Sequence, residues 1–136
     1  MSFFLKSLGP DVPLLWLGLG SNCLIRDGGF RGCAIFTQKG LKGLEHEGGG
    51  RVYAEAGVTC AKLAKYVAKL GLSGASFFAG VPGTVGGALA MNAGAFGGET
   101  WAHVQAIQTV DRLGHLHVRE AGDFEVGYRS VAGRSD

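Results

Sequence analysis

The run Ala79-Gly80-Val81-Pro82-Gly83-Thr84-Val85-Gly86-Gly87-Ala88-Leu89-Ala90-Met91-Asn92-Ala93-Gly94-Ala95-Phe96-Gly97-Gly98 places seven glycines in twenty residues. Glycine inside a regular element costs about 0.5–1 kcal/mol relative to alanine, so this density needs a reason. Close approach of the backbone to a ligand is one. A tight Val81-Pro82-Gly83 corner followed by small residues leaves backbone N–H groups unshielded, and a helix starting there aims them at an anion. The expectation is a loop that holds the phosphates of a large cofactor. A structural turn leading into a closely packed small-residue helix fits the same residues.

Upstream, Leu14-Leu15-Trp16-Leu17 is a short apolar run that reads as a buried strand. It is followed at once by Gly18-Leu19-Gly20-Ser21-Asn22, two permissive glycines and two small hydrogen-bonding side chains, the composition of an anion-binding loop. The dinucleotide fingerprint G-x-G-x-x-G needs a glycine where Cys23 stands, and no clear crossover helix follows, so a Rossmann domain is rejected. Asp27-Gly28-Gly29 marks a turn, and Cys33 to Phe36 reads as a second buried strand that Leu41 and Leu44 extend. Glu45 to Gly50 is a polar connection. Arg51 to Ala56 alternates in character as a half-buried strand does. Thr59 is placed to cap a helix over Cys60 to Leu70, with Leu63, Val67 and Leu70 on one face, Lys62, Lys65 and Lys69 on the solvated side, and Gly71 as its stop.

Downstream, Val104–Val110 and Leu116–Arg119 flank Asp111-Arg112-Leu113-Gly114 and predict a hairpin. His115 and His117 would share a face of its second strand, but no third ligand lies nearby in sequence, so they read as exposed strand histidines and no metal site is assigned. Phe124 to Ser130 sets Tyr128 beside Arg129 in a last strand.

A chain of 136 residues suits one domain with its own core. With 46% hydrophobic and 18% charged residues and no apolar run of about 18 residues, it reads as globular rather than membrane-spanning. Met1 to Pro13 contains Phe3, Phe4 and Leu5 but not the pattern of a signal peptide, which makes the cytoplasm the expected location. Three cysteines, Cys23, Cys33 and Cys60, form no C-x-x-C pair and read as buried thiols. Thirteen basic against eleven acidic residues give a net charge of +2 without a cluster, which favours a small anionic ligand over nucleic acid.

Taken together and in order, Leu17-Gly18-Leu19-Gly20-Ser21-Asn22, the block Gly80-Val81-Pro82-Gly83-Thr84-Val85-Gly86-Gly87, Asn92-Ala93-Gly94-Ala95-Phe96-Gly97 and Gly127-Tyr128-Arg129 closely resemble the bacterial UDP-N-acetylenolpyruvoylglucosamine reductases, also called UDP-N-acetylmuramate dehydrogenases. The match runs from about residue 14 to 129 within a single domain at 1–136, and covers well under half of the family's usual length. The resemblance implies an α+β fold, an FAD-binding domain of the vanillyl-alcohol-oxidase type, here without the N-terminal subdomain and the C-terminal substrate domain. It implies that Gly18, Leu19, Gly20, Ser21 and Asn22, together with Gly80, Val81, Pro82, Gly83, Thr84, Gly86 and Gly87, hold the FAD pyrophosphate. Asn92, Gly94 and Ala95 would lie along the cofactor nearer the flavin.

The family's reaction, as the resemblance implies it, passes hydride from NADPH through the flavin to the enolpyruvyl double bond of a UDP-sugar, on the route to muramic acid for peptidoglycan. Negative charge then develops toward the substrate carboxylate, where a cation stabilises the transition state more than the ground state. Arg129 matches the arginine of the family's tyrosine-arginine motif and is the expected catalytic cation, with Tyr128 shaping the substrate pocket beside it. The family commonly continues Tyr-Arg-x-Ser, whereas Ser130 and Val131 follow here, so no serine role transfers. The serine and glutamate that handle the proton belong to the family's C-terminal part, so the other parts of the same protein are expected partners for activity. A non-catalytic nucleotide-binding module and another flavoenzyme of the same fold are the competing readings.

Overall fold

A computed structural model of the chain describes residues 1–133, so the last three residues of the 1–136 domain lie outside them. Helix α1 (Ser2–Ser7) precedes strand β1 (Leu14–Leu17), which pairs in parallel with β2 (Cys33–Phe36), from Leu14 opposite Cys33 to Leu17 opposite Phe36. Both strands were expected to be buried. Trp16 is instead 43% exposed and Phe36 58%: paired with Ile35 and Leu17 respectively, they leave opposite faces of the two-stranded ribbon, and each face is partly open.

Leu41 and Leu44 do not extend β2. The chain turns through a 3-10 helix at Thr37–Lys39, where the Thr37 hydroxyl donates to the Leu17 carbonyl at 3.2 Å. Leu44 instead opens β3 (Leu44–Gly48), antiparallel to β4 (Arg51–Ala54). Most of the stretch expected to be a polar connection is therefore a strand. Its turn needs Gly48, Gly49 and Gly50, all at positive φ, a conformation in which a Cβ would crowd the backbone.

Helix α2 (Cys60–Lys69) forms as expected. The Thr59 hydroxyl accepts from the Lys62 N–H at 3.2 Å, and Gly71 sits at φ +68° beyond the last turn. Cys60, Leu63, Ala64 and Val67 turn inward, while the three lysines stay in water. A 3-10 turn at Ser76–Gly80 buries Phe77 and Phe78 against α2, and helix α3 (Val85–Met91) adds Val85 and Ala88. With Val58, Val81 and Ala93 these residues form the core, each large side chain contributing about 1.5–3 kcal/mol by leaving water.

Two short strands, β5 (Gly94–Ala95) and β6 (Gly98–Glu99), make a hairpin that the sequence did not signal. Phe96 and Gly97 turn it with φ of +52° and +80°, the paired positive values that a two-residue type I′ loop requires. The expected hairpin beyond it is β7 (Ala106–Val110) with β8 (Leu116–Glu120). Its turn is tied to the N-terminal segment, since Arg112 donates to the Val12 carbonyl at 2.8 Å and the Ser2 hydroxyl bonds Gly114. The final segment is not one strand but a hairpin, β9 (Glu125–Gly127) with β10 (Ser130–Ala132), with Tyr128 and Arg129 at its tip. Among the described residues, five two-stranded ribbons and three helices make an α+β fold.

Candidate functional site

Strand β1 delivers Gly18 to the start of α3, and the two glycine-rich segments, more than sixty residues apart in sequence, meet there. A Cβ at Gly18 would press into the Thr84 side chain, 3.0 Å from its Cγ2 and closer still to its hydroxyl. A Cβ at Gly83 would lie 3.1 Å from the Ser21 hydroxyl oxygen. Asn22 completes the junction by donating from Nδ2 to the Met91 sulfur at 3.1 Å. Gly20, at φ +75°, has nothing within 4 Å of where its Cβ would point, so the loop opens to solvent at that position. Among the described residues, none accepts a hydrogen bond from the backbone N–H of Gly20, Ser21, Asn22 or Gly83. Neither 18–22 nor 80–87 contains an acidic residue. A cradle of free donors with absent side chains suits an anionic group that approaches the backbone closely.

The first turn of α3 differs from expectation. The N–H of Val85 donates to the Val58 carbonyl at 2.8 Å and that of Gly86 to the Ala56 carbonyl at 2.9 Å. The Gly87 N–H donates to the Thr84 hydroxyl at 3.4 Å, an N-cap bond. These donors face the protein and not a ligand, because the turn after β4 crosses the helix start and satisfies its orphan groups. Gly86 permits that crossing: a Cβ there would lie 2.9 Å from the Ala56 Cβ. Val81 is likewise turned inward, 6% exposed, with its N–H on the Phe78 carbonyl. Pro82 and Leu19 are exposed at the rim. Gly80 lies under the Phe96 ring, with space for no side chain of its own.

At the other end of α3, Asn92 caps the helix in the left-handed region, φ +45°. Its side chain is buried, donating to Glu99 Oε2 at 3.0 Å and to the Gly127 carbonyl at 3.2 Å, and accepting from the Trp101 N–H at 3.1 Å. Gly94 and Ala95 continue from it, with the Gly94 Cα packed against the Gly98 carbonyl. Tyr128 and Arg129 follow Gly127 directly. The guanidinium carbon stands 5.9 Å from the Tyr128 ring centroid, and both side chains are exposed. Gly18, Ser21 and Gly83 thus meet Thr84 at the start of α3 and the Tyr128–Arg129 tip is tied to Asn92 at its end, while Asn22 reaches Met91 in the last turn and Gly80 lies against Ala95, so the predicted residues adjoin along this seven-residue helix, about 10 Å long at 1.5 Å per residue.

Other features lie away from this line. His115 immediately precedes β8 and His117 lies within it; two positions apart, both rings turn to the same side and reach Asp111 Oδ2, at 3.1 and 3.0 Å. The bond from His117 and the backbone N–H of His115 hold the Asp111 carboxyl well below the usual carboxylate range. Asp111 was the partner that sequence spacing missed. Of the cysteines expected to be buried, Cys60 is, and burial pushes its thiol up to about 11, whereas Cys23 is exposed in the loop after Gly20 and Cys33 is half-buried. A cavity of about 520 Å³ lies between the β3–β4 and β7–β8 hairpins, walled by Tyr53, Leu63, Phe78, Val85 and Ile107.

A family model described as an FAD binding domain matches residues 9–119. The chain belongs to the FAD binding domain family. It is 60% identical over 130 residues to a UDP-N-acetylenolpyruvoylglucosamine reductase of Alkalilimnicola ehrlichii, covering 96% of this chain and 43% of that protein. The corresponding protein of Methylococcus capsulatus is 55% identical with the same coverage, and that of Legionella pneumophila 53% identical over 100% of this chain and 44% of its own length. Among solved structures, the UDP-N-acetylenolpyruvylglucosamine reductase of Thermus caldophilus superposes with a TM-score of 0.69 at 31% identity, over 89% of this chain and 44% of that one. The chain spans less than half the length of these relatives. For an FAD binding domain, the glycine cradle at Gly18–Asn22 and Gly83 is chemically suited to a pyrophosphate, which rewards converging N–H donors and absent side chains.

Proposed function

We propose that this chain is the pyrophosphate-holding and arginine-bearing part of a longer NADPH-dependent reductase that converts an enolpyruvyl UDP-sugar to its lactyl product in peptidoglycan synthesis, in the cytoplasm. The observation that carries this reading is the meeting of Gly18 with Thr84 and of Gly83 with Ser21, which brings two separate glycine loops into one cradle. When bound, FAD supplies a carrier that accepts hydride from NADPH and gives it to the enolpyruvyl double bond. The protein's part is to bind and orient. Backbone N–H groups of Gly20, Ser21, Asn22 and Gly83 hold the pyrophosphate, with the Ser21 and Asn22 side chains beside them. Gly87 keeps a side chain out of the approach, Gly80 and Gly86 let Phe96 and Ala56 pack closely behind it, Pro82, Thr84 and Leu19 frame it over the buried Val81, and the Asn92–Ala95 backbone runs along the cofactor toward its reactive end.

Arg129, one helix length away, serves the substrate carboxylate, and Tyr128 under its guanidinium limits how that cation can swing. A fixed cation in a site from which water is excluded stabilises developing negative charge without reorganisation. The test is made on the longer protein. Arg129→Ala is expected to keep its flavin and its reduction by NADPH, and to lose reoxidation by the enolpyruvyl substrate by about 100-fold or more. Normal reoxidation would remove Arg129 from the chemistry. A wild-type longer protein that bound flavin but reduced no UDP-sugar would leave a nucleotide-binding module in place of the enzyme.

A further inference from the structure

We propose that the Asn92 side chain is a positioning residue for Arg129: it ties the Tyr128–Arg129 turn to the body of the domain and is not itself a cofactor contact. The inference rests on the role proposed above for Arg129 and goes beyond it. An asparagine amide has two N–H donors, and both are used inside the protein, one on Glu99 Oε2 and one on the Gly127 carbonyl. The amide oxygen accepts from the Trp101 N–H, and the residue is 4% exposed. No donor is left for a ligand.

One side chain thus joins three segments: the end of β6, the 3-10 turn after it, and the last residue of β9. That last contact is the one that matters here. Gly127 pairs with Ser130 across the hairpin, so its carbonyl sits at the base of the two-residue tip. Arg129 occupies the left-handed region at φ +53°, a conformation that non-glycine residues keep only when their surroundings over-determine it. The Asn92 bond supplies such a constraint from outside the hairpin. Without it, the guanidinium would ride on a solvent-exposed two-residue tip and would have to be ordered at each turnover, which is the cost that preorganisation removes.

The position also suits a clean test. Asn92 is itself left-handed at φ +45°, so Asn92→Gly removes the side chain while favouring the backbone. Asn92→Asp keeps the acceptor for Trp101 and loses the donor to Gly127, and it carries the test if the glycine variant folds poorly. In the longer protein, amide hydrogen exchange over residues 125–132 is expected to speed up in both variants, with the α2 segment 60–69 as an unaffected reference. Reoxidation of reduced flavin by substrate is expected to fall about 10- to 100-fold more than reduction by NADPH does. In an Arg129→Ala background, Asn92→Gly is expected to add no further loss to reoxidation.

Unchanged exchange over 125–132, or losses that multiply in the double variant, would overturn the proposal. If Arg129→Ala alone reoxidises at the normal rate, the reading of Arg129 fails and takes the proposal with it. The two failures are distinguishable, because in the second the exchange over 125–132 still responds to Asn92.

Discussion

Gly18 has a neighbour that its sequence context does not name. Its Cα rests on the Thr84 side chain, so Gly18→Ala drives a methyl into a β-branched residue held by its own cap bond. Overpacking of this kind costs about 1–3 kcal/mol. Gly18→Ala should therefore lower the denaturant midpoint of the longer protein, and Thr84→Ala in the same chain should relieve part of the loss; strictly additive effects would contradict the contact. Asp111 carries a second prediction. Its carboxyl is depressed by His117 and the His115 backbone N–H, so its contribution to stability is present above the ordinary carboxylate range near pH 4 and is lost as pH falls below it. Melting temperatures of wild type and Asp111→Asn should differ at pH 6, and the gap should narrow progressively as pH falls below about 4. A gap that stayed constant with pH would show that the carboxylate's charge does not act. The glycine loops were legible from residue type alone, since φ and bulk are local properties. Asn92 and Asp111 were not, because their meaning lies in bonds to Gly127 and to two histidines that only the fold brings near.

The helices announce themselves through their caps. Thr59 and Thr84 each accept from the N–H three residues on, at 3.2 and 3.4 Å. Loss of such a cap costs about 1 kcal/mol, so Thr59→Ala and Thr84→Ala should each lower the melting temperature by a few degrees. Thr84→Ala should cost more in FAD affinity, since only Thr84 borders the cradle; equal effects on affinity would separate the cap from the site. Helix α2 was legible from its periodic Leu63 and Val67, and the β7–β8 hairpin from its Asp-x-x-Gly turn. Strand β3 was not, because Glu45, His46 and Glu47 carry no apolar signal and the strand is held by pairing with β4. Strands β5 and β6 are two residues each, below the length at which alternation can be seen. The Gly86 N–H was expected to face an anion because nothing local reveals that the Ala56–Val58 turn crosses it, and that of Gly87 meets its own N-cap hydroxyl instead.

At the scale of the molecule, the residues proposed for the cofactor and the Tyr128–Arg129 tip are arranged along one short helix, with Asn22 on Met91 and Asn92 on Gly127. Several large apolar side chains stay in water, among them Leu24 at 95% and Phe3 at 86% exposure. The relatives to which the chain aligns are more than twice as long. Catalysis is accordingly a property expected of the longer protein, while the proposed pyrophosphate cradle is drawn from residues 18–22 and Gly83. Gly20 offers the most direct test of that cradle. Its φ of +75° is one that Asp and Asn visit more readily than other side chains, and nothing lies within 4 Å of its Cβ position, so the two share the same backbone strain and differ in charge. The measurement is the FAD content of the longer protein carrying Gly20→Asp, purified beside Gly20→Asn and wild type. A carboxylate facing the pyrophosphate should expel the cofactor by charge, leaving Gly20→Asp nearly colourless while Gly20→Asn keeps a measurable share. Full flavin content in Gly20→Asp would contradict the assignment of this loop to the phosphates.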